Sequence, residues 1–141
     1  MTRNDITQFF ESRQREWKIR DPEGLATGHT TDGTVVSPMF GALTGRAEIA
    51  ESYRKLFTTF PDWTFKTEEL VIDGDRVVQH FVVTATHVGD FMGLPGTGRH
   101  GRIEGVLLST LRDGLIYHEK RLYDFSALLI QIGVLKSKPN F

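Results

Sequence analysis

The chain has 141 residues, 39% of them hydrophobic and 25% charged, with 17 basic against 18 acidic side chains. That balance removes the electrostatic case for a general nucleic-acid binder. The absence of cysteine excludes disulfides, thiolate metal centres and a thiol nucleophile, and no run approaches the roughly 18 apolar residues of a membrane span. Met1 is followed by polar Thr2-Arg3-Asn4-Asp5 with no apolar stretch behind it. The expectation is therefore one soluble, cytoplasmic domain over residues 1–141.

Residues 2–20 read as a helix, with Ile6, Phe9, Phe10, Arg13 and Trp17 at helical spacing and Thr2 with Asp5 as a capping box. Asp21 caps a short second helix that starts at Pro22 and is weakened by Gly24 and Gly28. Thr34–Ser37 is a brief strand, and Pro38–Gly45 a loop carrying Met39 and Phe40. Thr44 is positioned to cap a third helix, whose stripe of Ile49, Tyr53, Leu56, Phe57 and Phe60 ends at Pro61.

From Trp63 the pattern changes to strands. Residues 63–72, 76–88, 102–112 and 115–124 are rich in β-branched and aromatic side chains. Asp73-Gly74-Asp75 joins the first pair, and Asp113-Gly114 closes the last pair as a hairpin. Gly89–Gly98 lies between the middle strands and carries Phe91, Met92 and Leu94, too apolar for a solvated turn. It is expected either to cover a cavity or to plug the core. Phe125–Ile132 is a short helix ending at Gly133, followed by a polar tail. Helices first and an antiparallel sheet after them give an α+β domain.

Several of these segments together carry a resemblance. They are Gly45-Arg46-Ala47-Glu48-Ile49, Phe60-Pro61-Asp62-Trp63, the run from Thr86 to Arg99, Asp113-Gly114-Leu115-Ile116, and Asp124 followed by Leu128–Gly133. In order and spacing the chain resembles the SnoaL-like branch of the NTF2-like superfamily, named for polyketide cyclases. The resemblance implies a cone, in which a curved sheet and N-terminal helices enclose a pocket. It also implies cofactor-free acid/base chemistry beside a carbonyl, foremost aldol cyclisation of a polyketide-like substrate. Ketosteroid-isomerase-like isomerisation, epoxide hydrolysis, a hydroxylase-accessory role and non-catalytic ligand binding stand as alternatives. Branch members often carry Glu-His-Trp in the last strand, where this chain has His118-Glu119-Lys120.

Asp124, directly before an apolar helix, is the candidate general acid/base, and it matches the acid/base aspartate of the branch. A carboxylate in an apolar cavity has its pKa raised toward neutrality; the competing role is helix N-cap. His87 shares a strand face with Val77, Phe81, Val83 and Ala85, so it points inward, able to hydrogen-bond a developing enolate or to sit as a core histidine. Phe40, Tyr53, Trp63, Gln79, Phe81, Phe91, Met92 and His118 are the candidate substrate-binding residues. If the last strand is regular, His118, Lys120 and Asp124 share one face and Tyr117, Glu119, Arg121 and Tyr123 the other; a bulge would overturn that division. Lys120 near Asp124 would lower the carboxyl pKa and oppose an acid role. The five histidines (His29, His80, His87, His100, His118) show no paired ligand spacing, so neither metal nor cofactor is expected. The expected partner is a flat apolar molecule with a carbonyl. By resemblance a homodimer is expected too, seamed on the outer sheet face through Tyr117, Tyr123 and Val82.

Overall fold

The computed structural model describes residues 1–136; the end of the expected polar tail lies outside them. In chain order the elements are α1 (Arg3–Ile19), α2 (Pro22–Thr27), β1 (His29–Ser37), β2 (Gly41–Thr44), α3 (Arg46–Thr59), β3 (Thr64–Asp73), β4 (Arg76–Thr86), β5 (His100–Arg112), β6 (Leu115–Tyr123) and α4 (Phe125–Gln131). The helices start where local chemistry satisfies their free N–H groups. Thr2 and Asp5 exchange both bonds of a capping box, and Asp21 accepts from the Gly24 N–H ahead of Pro22. The expected Thr44 cap is not formed. The cap position is Gly45, with φ at +90°, and Thr44 instead donates its own N–H to Glu48.

The strands form one sheet in the order β2-β1-β6-β5-β4-β3. Among the described residues only the β1–β6 pairing is parallel. The curved, unclosed sheet carries helices on its concave face, an α+β cone. β4 alternates strictly between buried and less buried positions, as a strand with one covered face must. Two stretches go beyond the expected strands: β1 begins at His29, five residues before Thr34, and Gly41–Thr44, expected as loop, pairs with it as β2. Both carry Gly and Thr, and the first Asp32 as well, in place of the apolar alternation that marks a half-buried strand.

The core has two parts. Near the β3–β4 and β5–β6 turns, Ile6 and Phe10 of α1 pack on Val77, Leu111 and Ile116. The larger cluster fills the other end with Trp17, Tyr53, Phe60, Trp63, Phe65 and Phe81 among its members. Register shifts between Ile116 and His118 opposite Thr110–Leu111. This irregularity at Tyr117 lets Ile116 point inward together with Glu119 and Arg121. No helix among the described residues is long and apolar enough to cross a membrane.

Candidate active site

The larger cluster encloses a slot. One wall is a stack of three rings: Trp17 lies on Phe65 at 4.4 Å and 13°, and Phe65 on Phe81 at 5.1 Å and 17°. Met39 and Phe40, from the β1–β2 turn, close another side, and Leu56, Trp63, Ile103, Leu107, Arg121 and Tyr123 complete the lining. Its free volume is about 30 Å³, room for little more than a water molecule or two. Outside it lies a vestibule of about 400 Å³ between α3 and the Asp90–Met92 segment, within the range of small-molecule sites. Met39, Phe40 and Leu56 border both spaces. These three side chains separate the vestibule from the stacked rings.

Behind the slot sits a buried polar cluster centred on Tyr53, which is 0% exposed. Arg13 and Arg121 each donate to the Tyr53 hydroxyl, at 3.2 and 3.1 Å. With both lone pairs occupied, the hydroxyl proton goes to His29 Nε2, 3.1 Å away. His29 therefore carries its proton on Nδ1, which is buried without a partner. Burial holds the imidazole neutral, moving its pKa from the usual 6.5 to about 3, and the positive charges of Arg13, Arg121 and Arg46 act in the same direction. Glu119 accepts from Arg121 Nε at 2.7 Å. Burial disfavours the Glu119 carboxylate, but Arg121 above all outweighs it and holds the pKa below the usual 4.5. Tyr123, in the slot wall, is pushed up to about 12 by burial.

The expected site residues divide. Phe40, Trp63 and Phe81 line the slot; Phe40, Phe91 and Met92 line the vestibule. Tyr53 lies one layer behind, bonded to Arg121. Asp124 stands apart from both spaces: it is exposed, and its Oδ1 accepts from Ala127 N–H at 2.9 Å, capping α4. The premise of an apolar cavity around it is corrected, because the strand ends there and its carboxylate turns to the free helix terminus. His118 and Lys120 are exposed on the outer face, His118 bonded to Thr34 at 2.5 Å. The bulge sets that orientation and separates them from the slot. Gln79 points inward but fastens α1 to the sheet, through Thr67 at 2.7 Å and from there to Gln14. Tyr123 belongs to the inner face with Phe81 and Phe125, and Tyr117 lies beneath Arg112 at 3.8 Å. Tyr123 is therefore not on the outer face, where the dimer seam was expected.

His87 is inward and fully buried, yet borders neither space. Its ring packs on Phe60 and Phe91, and Nδ1 lies 3.2 Å from Thr97 Oγ1, which gives its own proton to Ile132 O at 2.6 Å and so accepts from the imidazole Nδ1–H. Nε2 is buried without a partner. The Gly89–Gly98 segment is anchored at both ends. Thr59 O accepts from Val88 and Gly89, and Gly98 donates to His87 O. A Cβ on Gly96 would lie 2.0 Å from Val88 O, so only glycine fits there. Phe91 is half-buried, whereas Met92 is 66% and Leu94 43% exposed. Packing of this segment over the mouth thus rests on Phe91, with Met92 at its rim; Leu94, expected to pack there as well, faces solvent.

Arg13, His29, Glu119 and Arg121 were not marked as site residues in the sequence. The available signal was Arg13 on the apolar stripe of α1, together with an opposite-charge pair two residues apart, flanked by tyrosines.

Comparison with known proteins places this geometry among relatives. The family model of SnoaL-like polyketide cyclases matches residues 8–132. The fold is similar to that of a candidate polyketide cyclase, IdmH from Streptomyces antibioticus, at 25% identity and TM-score 0.76 over 90% of this chain and 97% of that one. It is similar also to TsrD from Streptomyces laurentii, at 22% identity and TM-score 0.83 over 96% and 99% of the two chains. AclR from Streptomyces galilaeus, a candidate hydroxylase, matches at 22% identity and TM-score 0.83 over 98% and 91%. No curated protein matches the sequence.

Proposed function

The chain belongs to the SnoaL-like polyketide cyclase family, and from that premise we propose a cofactor-independent enzyme acting on a carbon beside a carbonyl, foremost in an aldol cyclisation. The observation that carries the reading is a buried guanidinium, Arg121, the one charged side chain in the wall of a slot otherwise lined by aromatic and aliphatic residues among those described. A flat substrate lies along the Trp17–Phe65–Phe81 stack, with its carbonyl oxygen toward Arg121 and Trp63 Nε1. Donors fixed in a water-poor site stabilise charge that develops on that oxygen far better than water does. Glu119 holds the guanidinium in one orientation.

His87 is the proposed proton carrier, through the Nε2 that lacks a protein partner. Phe91, which touches His87 and lines the vestibule, must shift to admit the substrate carbon. The C–H proton passes to Nε2, and the enolate carbon bonds to a second carbonyl carbon of the same molecule. The resulting alkoxide then takes the proton back, so the imidazole ends as it began.

Deuterium exchange tests this without knowledge of the natural substrate. With 1-tetralone in deuterated water, the wild type accelerates α-proton exchange, and His87→Gln loses at least about tenfold of that acceleration while remaining folded. No acceleration with the ketone bound overturns the enzymatic reading. That outcome supports the second one, a ligand-binding module. The second reading is favoured by the slot wall itself, which among the described residues contains donors but no carboxylate.

A homodimer through the outer sheet face is the expected assembly. Val36, Lys120, Leu108, Val78 and Val71 lie in one lateral row across five strands; Val36, Leu108 and Val71 are exposed. Light scattering at micromolar concentration gives a dimer on this reading, and a monomer removes it.

A further inference from the structure

The Tyr53 cluster holds more positive charge than negative. Arg13 is 3%, Glu119 3% and Arg121 8% exposed, so two guanidiniums and one carboxylate are buried together. Glu119 is matched to Arg121. Arg13 has no carboxylate partner among the described residues; its donors go to Leu25 O at 2.9 Å and to the Tyr53 hydroxyl. His29 is held neutral and supplies no compensation in either direction. Unmatched charge away from water is costly unless a counter-charge comes to it.

The slot wall adds an independent observation. Trp63 is 6% exposed, lines the slot, and its Nε1–H is buried with no acceptor. Buried N–H groups nearly always have a partner, so one left without it needs an explanation. Arg121 lines the same slot. An indole N–H and a guanidinium are both donors only, so what completes them is an acceptor, and the surplus charge behind them makes that acceptor an anion.

We propose that the slot selects a flat ring system whose oxygen is already ionised when it binds, lodged on Arg121 and Trp63 Nε1–H. The shared chemistry is a planar conjugated oxyanion, either an aromatic carboxylate or the ionised enol of a 1,3-dicarbonyl. This deepens the proposed function and rests on the slot being its substrate site. Where the oxyanion is the ionised enol, the enolate is bound as such, and the neighbouring electrophilic carbonyl becomes the point of control.

Calorimetric titration of the full chain at neutral pH separates the possibilities, using 2-naphthoate as the carboxylate, 2-phenyl-1,3-indandione as the ionised enol and 2-naphthamide as the neutral shape control. The expected result is that at least one anion binds about tenfold or more tighter than the amide, and the tighter anion identifies the oxyanion source. Arg121→Met paired with Glu119→Gln, which removes both buried charges together, costs the anions at least about tenfold and the amide, whose carbonyl meets the same donors, less, so that the three converge. Trp63→Phe weakens the anions about threefold or more and the amide less. If the amide binds as tightly as both anions, the inference falls and the slot stands as a site for neutral ligands. If none of the three binds, the slot reading itself falls, and the inference with it.

Discussion

The two ends of the cone solve the same packing problem with opposite chemistry. At the hairpin end, Ile6, Phe10, Val77, Leu111 and Ile116 bury hydrocarbon only. At the open end the same strands surround Arg13, His29, Glu119 and Arg121 and leave Trp63 Nε1, His29 Nδ1 and His87 Nε2 without partners. Apolar packing stabilises without needing a direction, whereas buried polar groups are costly unless complemented. The first end therefore reads as the fold's anchor and the second as a site that a ligand completes.

The largest effect that would test the contrast is Phe10→Ala. It should lower stability by about 4 kcal/mol in chemical denaturation, as a buried aromatic truncation does, and leave 2-naphthoate affinity unchanged in the folded protein. A loss of affinity matching the loss of stability would break the division between the ends.

Acid should act on the open end first. The folded pKa of His29, about 3, lies below its usual 6.5, so the unfolded chain takes up a proton that the folded chain declines. The stability this group contributes is fully present above pH 6.5 and is lost as pH falls from 6.5 toward 3. The slope is about 1.4 kcal/mol per pH unit. Glu119, also depressed, adds to the loss only below its usual 4.5. Urea unfolding against pH should show the slope in the wild type between pH 6.5 and 4.5, above the range in which Glu119 contributes, and a flat response there in His29→Gln. An equal slope in both would place the acid sensitivity elsewhere.

Asp124 separates helix capping from catalysis. Replacement by alanine should cost about 1 kcal/mol through the lost bond to Ala127, while asparagine, also a good cap, should be nearly neutral. Neither should change exchange of 1-tetralone; a large loss of exchange in Asp124→Asn would return the carboxylate to the chemistry. The smallest effect belongs to the exposed tip of the Gly89–Gly98 segment. Leu94→Ala should shift stability by no more than about 0.5 kcal/mol, and a fall of several degrees in melting temperature would show that the tip packs against something.

These contrasts also mark how far the sequence could be read. Capping residues, the Asp-Gly turns and the stripe on α3 defined the helices and four strands, because each is a local signal. β2 and the first half of β1 were illegible, since Thr-Thr-Asp-Gly-Thr and Gly-Ala-Leu-Thr lack alternation and are held by partners distant in sequence. The aromatic side of the site was legible: Phe40, Trp63, Phe81 and Phe91 are where large apolar side chains were expected. Its polar side was not. Along β6 both faces carry charged residues, so composition gave no sign of which face is buried, and the shift at Tyr117 decided it. Glu119 and Arg121 are buried only because each has the other, a pairing that no single position reveals.

The central claim is that the Trp63–Arg121 corner of the slot binds an anionic oxygen. The chain has two tryptophans, so its nitrogen–proton correlation spectrum contains two indole signals, each assignable by a Trp→Phe variant. Titrated with 2-naphthoate, the Trp63 indole proton should move downfield as its N–H gains an acceptor, and 2-naphthamide at equal occupancy should move it less. An unmoved Trp63 signal at saturating naphthoate would contradict the account.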